Sequence, residues 1–187
     1  MRVTRLILII AMCAMSGGMF SALPASAADN GTKDILVSFK GGIGVIPISN
    51  VVVAADGTIT VNRNIVRGVN SPGQIWTIDD LFARIKTSGE IKVDGRGLVL
   101  AGGNNIGTPP AGTSVFASLL CGATGTTVHS SGAIGVPLEA NGDFRIDDVL
   151  DPPPPADCAN PVLLIRSVNG GNWFAAGIPD LRDRRRD

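Results

Sequence analysis

The stretch Val115-Phe-Ala-Ser-Leu-Leu-Cys121 decides how this chain is read, together with the apolar run Val162-Leu-Leu-Ile165 that returns past it. Val115, Ala117, Leu119 and Cys121 alternate with Phe116, Ser118 and Leu120, the period of a strand with one inward face. That alternation aims Cys121 at the core. Between the two runs lie a glycine-rich loop, the dipeptide Asn141-Gly142, four prolines from Pro152 to Pro155, and Cys158. Consecutive prolines exclude helix and inner strand, so this run reads as a stiff extended connector. A bond between Cys121 and Cys158 ties the outgoing strand to the segment that feeds the returning one. The two lie 37 residues apart, a closure worth ~4 kcal/mol in the chain-entropy account.

The start of the chain predicts export. Arg2 and Arg5 form a basic opening, Leu6 to Met15 is a ten-residue apolar run, and Ala25-Ser26-Ala27 is a small-x-small cleavage pattern. A membrane span needs about 20 apolar residues; Gly17, Gly18 and Pro24 interrupt this one. Residues 1–27 therefore read as a signal peptide cut after Ala27, leaving 160 of the 187 residues and no membrane span. Met12 precedes Cys13 where a lipobox needs a small residue, and Arg2 and Arg5 are not a twin-arginine pair. Two cysteines then remain, Cys121 and Cys158, and an exported pair at this spacing predicts one disulfide. Sixteen basic residues less Arg2 and Arg5 leave fourteen against sixteen acidic, a net charge of −2. That balance argues against a nucleic-acid partner, whose phosphates call for a basic face.

One pattern recurs. Asp56-Gly-Thr-Ile-Thr-Val61, Ser88-Gly-Glu-Ile-Lys-Val93 and Asn141-Gly-Asp-Phe-Arg-Ile146 each join a small polar residue and glycine to an apolar–x–apolar run. Each follows an apolar-rich run: Val51–Ala54, Leu81–Ile85 and Ile134–Leu138. Glycine tolerates the positive φ of tight turns, so three hairpins are predicted. Their uneven spacing argues against a solenoid. Ile35, Val37 and Phe39 predict an earlier strand that Gly41-Gly42 ends. Residues 78–86 fit a helix capped by Thr77 or a strand; the Ser88-Gly89 turn and the alternation beyond it favour the strand. Trp173-Phe-Ala-Ala176 reads as the last strand, and residues 179–187 as a charged tail.

Many short strands at turn-punctuated spacing point to an all-β fold, an Ig-like antiparallel β-sandwich with one disulfide over residues 28–178. The run Val93-Asp-Gly-Arg-Gly-Leu-Val-Leu-Ala-Gly-Gly103, the Ser114–Cys121 strand, Pro137-Leu-Glu-Ala-Asn-Gly-Asp-Phe144 and the late Cys158 resemble secreted bacterial proteins of uncharacterised function that carry an Ig-like sandwich. The resemblance spans roughly residues 50–178. Its motifs are turns and strands, so it implies fold and export and brings no active site.

Residues that could carry chemistry are few. His129 is the single histidine; with Ser130 or Ser131 it could seed a hydrolase triad, but no Gly-x-Ser-x-Gly elbow accompanies it. Its Gly/Ser/Thr-rich setting, residues 122–133, predicts an exposed loop and a solvated ring. No zinc motif occurs. Asp143, Asp147, Asp148 and Asp151 are the oxygen ligands a calcium ion would use, yet they lack loop spacing and read as turn and edge residues. Gly102-Gly-Asn-Asn-Ile-Gly107 lacks the Lys-Ser/Thr of a phosphate loop and reads as a turn. Trp76 and Trp173 are the only tryptophans and tyrosine is absent, a poor supply of platforms for sugars; both read as core. Four arginines within Arg182–Arg186 read as a solvated tail, with acidic wall polymers as the alternative contact. The expectation is a secreted, non-enzymatic structural or interaction module with an extracellular partner and no cofactor. An extracellular glycan- or calcium-binding protein is second and a hydrolase third.

Overall fold

The computed structural model describes residues 34–122 and 127–181. The predicted signal peptide with its cleavage at Ala27, and the Arg182–Arg186 tail, lie outside the described residues. Thirteen strands follow in chain order: β1 (Ile35–Gly44), β2 (Ile48–Val53), β3 (Ile59–Arg63), β4 (Trp76–Thr77), β5 (Asp80–Lys86), β6 (Glu90–Arg96), β7 (Val99–Leu100), β8 (Ser114–Leu120), β9 (Val128–Ser130), β10 (Val136–Pro137), β11 (Phe144–Val149), β12 (Val162–Ser167) and β13 (Trp173–Pro179). The protein is all-β, and its paired strands are antiparallel. Residues 78–86 resolve as strand: Leu81, Ala83 and Ile85 of β5 are buried while Phe82 and Arg84 face out.

Nine strands form one sheet, in the order β10-β8-β12-β13-β1-β5-β6-β11, with β9 also on β8. An Ig-like sandwich divides its strands between two sheets; here hydrogen bonds run unbroken from β8 through β1 to β11. The sheet then returns on itself. Ser130 at the end of β9 and Asp151 just past β11 exchange both backbone hydrogen bonds, at 3.1 and 2.8 Å. One core fills the enclosed space, including Phe39, Leu81, Ile85, Ile91, Leu119, Leu163 and Ile165, all fully buried.

Gly41-Gly42 does not end the first strand, as the dipeptide suggested. Gly41 takes φ +91° and the register shifts between Phe39 and Gly42. This is a bulge at which β1 leaves β5 and continues along β13, where Gly42 faces Gly177 and Gly44 faces Ala175. The strand thus links the two halves of the sheet.

Two of the three expected hairpins form: β2–β3 around Asp56-Gly57 and β5–β6 around Ser88-Gly89. The third does not. The Asn141-Gly142 turn is present, with Gly142 at φ +84°, but β10 pairs with β8 and β11 with β6. Burial explains the choice. The Phe144 ring lies over Gly95 of β6, where a Cβ would stand 2.1 Å from the ring. Ile146 pairs with Val93, both inward. Pro137 offers β10 no N–H and leaves it two residues long.

Cys121 and Cys158 are bonded, with Cα atoms 4.9 Å apart, inside the range a disulfide needs. Two further ties meet there. Gly122 N–H donates to Ala159 O at 2.6 Å. Arg67 donates from Nη1 to Leu120 O at 3.0 Å and from Nη2 to Asn160 O at 2.7 Å. Arg67 sits at φ 47° in the two-residue turn it shares with Gly68.

Candidate functional site

The β2–β3 hairpin stands apart from the body: no residue of either strand is buried. Its register sorts the side chains. Val51 opposes Val61 and Val53 opposes Ile59, which puts four β-branched residues on one face. On the other face Val52 opposes Thr60 and Asn50 opposes Asn62, whose Nδ2 donates to Asn50 Oδ1 at 2.6 Å. The hairpin is therefore a two-faced ribbon. Its apolar face lies open, with Val51, Val53, Ile59 and Val61 exposed by 55, 65, 65 and 52%.

The ribbon is nonetheless firmly mounted. At its tip Gly57 takes φ +84°, Ala54 N–H donates to Thr58 O at 2.9 Å, and Asp56 Oδ1 accepts from Thr58 N–H at 2.9 Å. The amide and hydroxyl of Thr58 hold the Asp56 carboxyl below the usual aspartate range. At its base Asn64 N–H donates to Pro47 O at 2.8 Å, and the buried Ser71 hydroxyl donates to the same carbonyl at 2.7 Å. The buried indole of Trp173 donates to Asn64 O at 3.1 Å. Core residues thus fix the root of an element whose own side chains are exposed and packed under none of the other described strands.

A second feature lies at the seam where the sheet closes. Residues 131–136 and 146–148 line a recess of ≈ 270 Å³. Its walls are mostly apolar, with Ala133, Ile134, Val136 and Ile146 among them, and Asp148 at the rim. The carboxylate is engaged: Asp148 Oδ2 accepts from Gly132 N–H at 2.7 Å.

The other residues singled out in the sequence are dispersed. His129 is not a solvated loop residue: it lies on β9, 4% exposed, with Nδ1 2.7 Å from Pro152 O. A carbonyl only accepts, so Nδ1 carries a proton. Residues 128–130 are strand rather than loop because β9 pairs with β8, His129 opposing the inward Leu119. Ser130 alternates to the other face, its hydroxyl 2.9 Å from that of Ser118, and Ser131 Oγ accepts from Ala117 N–H at 3.0 Å. Neither serine meets the imidazole. The four acids serve four separate contacts: Asp143 accepts from Gly97 N–H at 3.0 Å, Asp147 pairs with Lys92 at 2.9 Å, Asp148 holds Gly132, and Asp151 closes the sheet through its backbone. Residues 102–107 form a turn, Ile106 N–H donating to Gly103 O. Trp76 and Trp173 are buried, Trp76 stacking on Phe174 with ring centroids 4.1 Å apart, so neither indole face is open to a sugar.

The chain matches no protein-family model, no curated protein and no solved structure. The candidate site therefore rests on geometry, and the ribbon face is what the sequence did not disclose. Its hairpin was readable, but Val51, Val53, Ile59 and Val61 are the residues any core-facing ribbon carries, and alternation does not record whether a second layer lies above.

Proposed function

We propose that this chain is an exported, non-enzymatic interaction module whose docking element is the β2–β3 ribbon. The observation that carries this is the open quartet Val51, Val53, Ile59 and Val61 on a hairpin rooted in the core. A two-stranded hairpin alone is marginal in water, and a contiguous apolar face on a soluble protein marks a contact surface. Rigid mounting lowers the ordering cost of such a contact. Export is supported by the basic, apolar and small-residue order of residues 1–27. The same reading keeps the Ig-like comparison in a loose form. β8–β12–β13 and β5–β6–β11 act as opposed layers over one core, and the unbroken pairing through β1 is the departure from two sheets.

A photo-crosslinking amino acid at position 53 tests the docking role in the producing cells. It should give a covalent adduct on irradiation, while the same group at position 60, on the polar face, should not. The absence of an adduct from position 53 would overturn the reading.

A further inference from the structure

We infer that the occupant of the ribbon's open face is the same face of a second copy of this chain, packed about a two-fold axis with each tip over the other's base. The inference rests on the docking role of the ribbon and names its partner. Between tip and base the face offers four aliphatic side chains, with Arg63 following Ile59 and Val61 on the same face at the base, so its partner must be flat and apolar over the middle and able to meet that charge at its end. The face itself meets that description, and a two-fold contact uses one patch twice. Two such ribbons stacked at the usual ~10 Å would make a small two-layer sandwich, each layer supplying the cover the other lacks.

Charge fixes the orientation. Between Ile48 and Arg63 the only charged residues are Asp56 at the tip and Arg63 at the base. Two ribbons packed in parallel would set like charges together. Packed tip to base, each Asp56 comes beside the other copy's Arg63. Arg63 gives one N–H to Ser71 O and stays exposed, with further donors to offer. The reverse face carries Val52 among Asn50, Thr60 and Asn62, with the Asn50–Asn62 hydrogen bond across it, and remains in water. Assembly through this patch therefore stops at two copies. A lipid surface is the weaker fit: elements that sit at the bilayer interface carry aromatic or basic anchors, and this ribbon has no aromatic residue and only Arg63, at its root.

Sedimentation equilibrium of the full secreted protein, from micromolar to millimolar concentration, tests this. The expected result is a monomer–dimer equilibrium. Val53→Lys would bury an unpaired charge and should weaken it about 100-fold or more. Thr60→Lys, on the reverse face, should leave it unchanged, and circular dichroism should show both variants folded. Asp56→Asn keeps the turn's hydrogen bond, removes the charge and should weaken the dimer by up to about fivefold. A protein that stays monomeric at millimolar concentration, or a dimer indifferent to Val53→Lys, overturns the inference. An unaffected Asp56→Asn dimer overturns the tip-to-base arrangement. A monomer that still gives a crosslink from position 53 to another molecule would discard the second copy and leave the docking role standing.

Discussion

Arg67 shows how much one side chain can hold. It accepts a left-handed backbone, which costs a non-glycine residue about 1–2 kcal/mol, and in return bridges Leu120 O and Asn160 O on either side of the disulfide. Arg67→Ala should lower unfolding stability by ~1–3 kcal/mol in urea titrations. Arg67→Lys should recover only part, because a point-like ammonium cannot span both carbonyls as a fork does. Replacing Cys121 and Cys158 with Ser removes the covalent tie beside it. The expected loss is ~2–4 kcal/mol, read as a fall of roughly 5–15 °C in melting temperature. Asp56 supplies a pH signature. Thr58 favours its charged form, so the folded carboxyl titrates below the unfolded one, whose ordinary value is 3.8. The turn is thus strengthened above that value and loosens as pH falls through the lower, folded one. In an NMR titration the Thr58 amide should follow Asp56 through a midpoint below the ordinary 3.8, and Asp56→Asn should abolish the step.

At the scale of elements, the sheet reads its strands by what they cover. Phe144 over Gly95 joins β11 to β6, so Gly95→Ala should force the ring aside and cost ~1–3 kcal/mol by overpacking. The ribbon should behave in the opposite way. Ile59→Thr leaves the body untouched and, in dilute protein, should shift the melting temperature by no more than the ~0.5 kcal/mol of an ordinary surface change. These contrasts also mark how far the sequence could be read. Turns and alternation are local, so the Asp56-Gly57 and Ser88-Gly89 hairpins and the strand at 80–86 were readable from neighbouring residues. The partner of β11 was not: it depends on Gly95, 49 positions away from Phe144, and nothing in Asn141-Gly142 distinguishes a hairpin from a bare turn. His129 failed for a related reason. Its glycine- and serine-rich surroundings describe solvent, while its burial comes from β8 lying alongside.

For the whole molecule, the all-β architecture and the disulfide were readable because alternation, turn glycines and the pair Cys121 and Cys158 all agreed. The closure was not, since Ser130 and Asp151 meet through backbone atoms that carry no sequence signal. Export is tested at this scale. Intact mass of the secreted protein should correspond to a chain beginning at residue 28, and a form that retains Met1 would count against the signal peptide.

The pairing of β1 with β13 has a mechanical consequence. The first and last strands of the sheet lie side by side and antiparallel, Phe39 against Pro179, with Asp180 N–H donating to Ser38 O at 2.9 Å. Both ends of the described body therefore leave from one pole, and the ribbon springs from the far end of β1. Tension applied through those two ends would peel the neighbouring strands apart one hydrogen bond at a time, as a zip opens, instead of loading them all together in shear. The body should yield at low force along that axis. A tether at the same pole would carry the ribbon outward, as far from its anchor as the length of β1 allows.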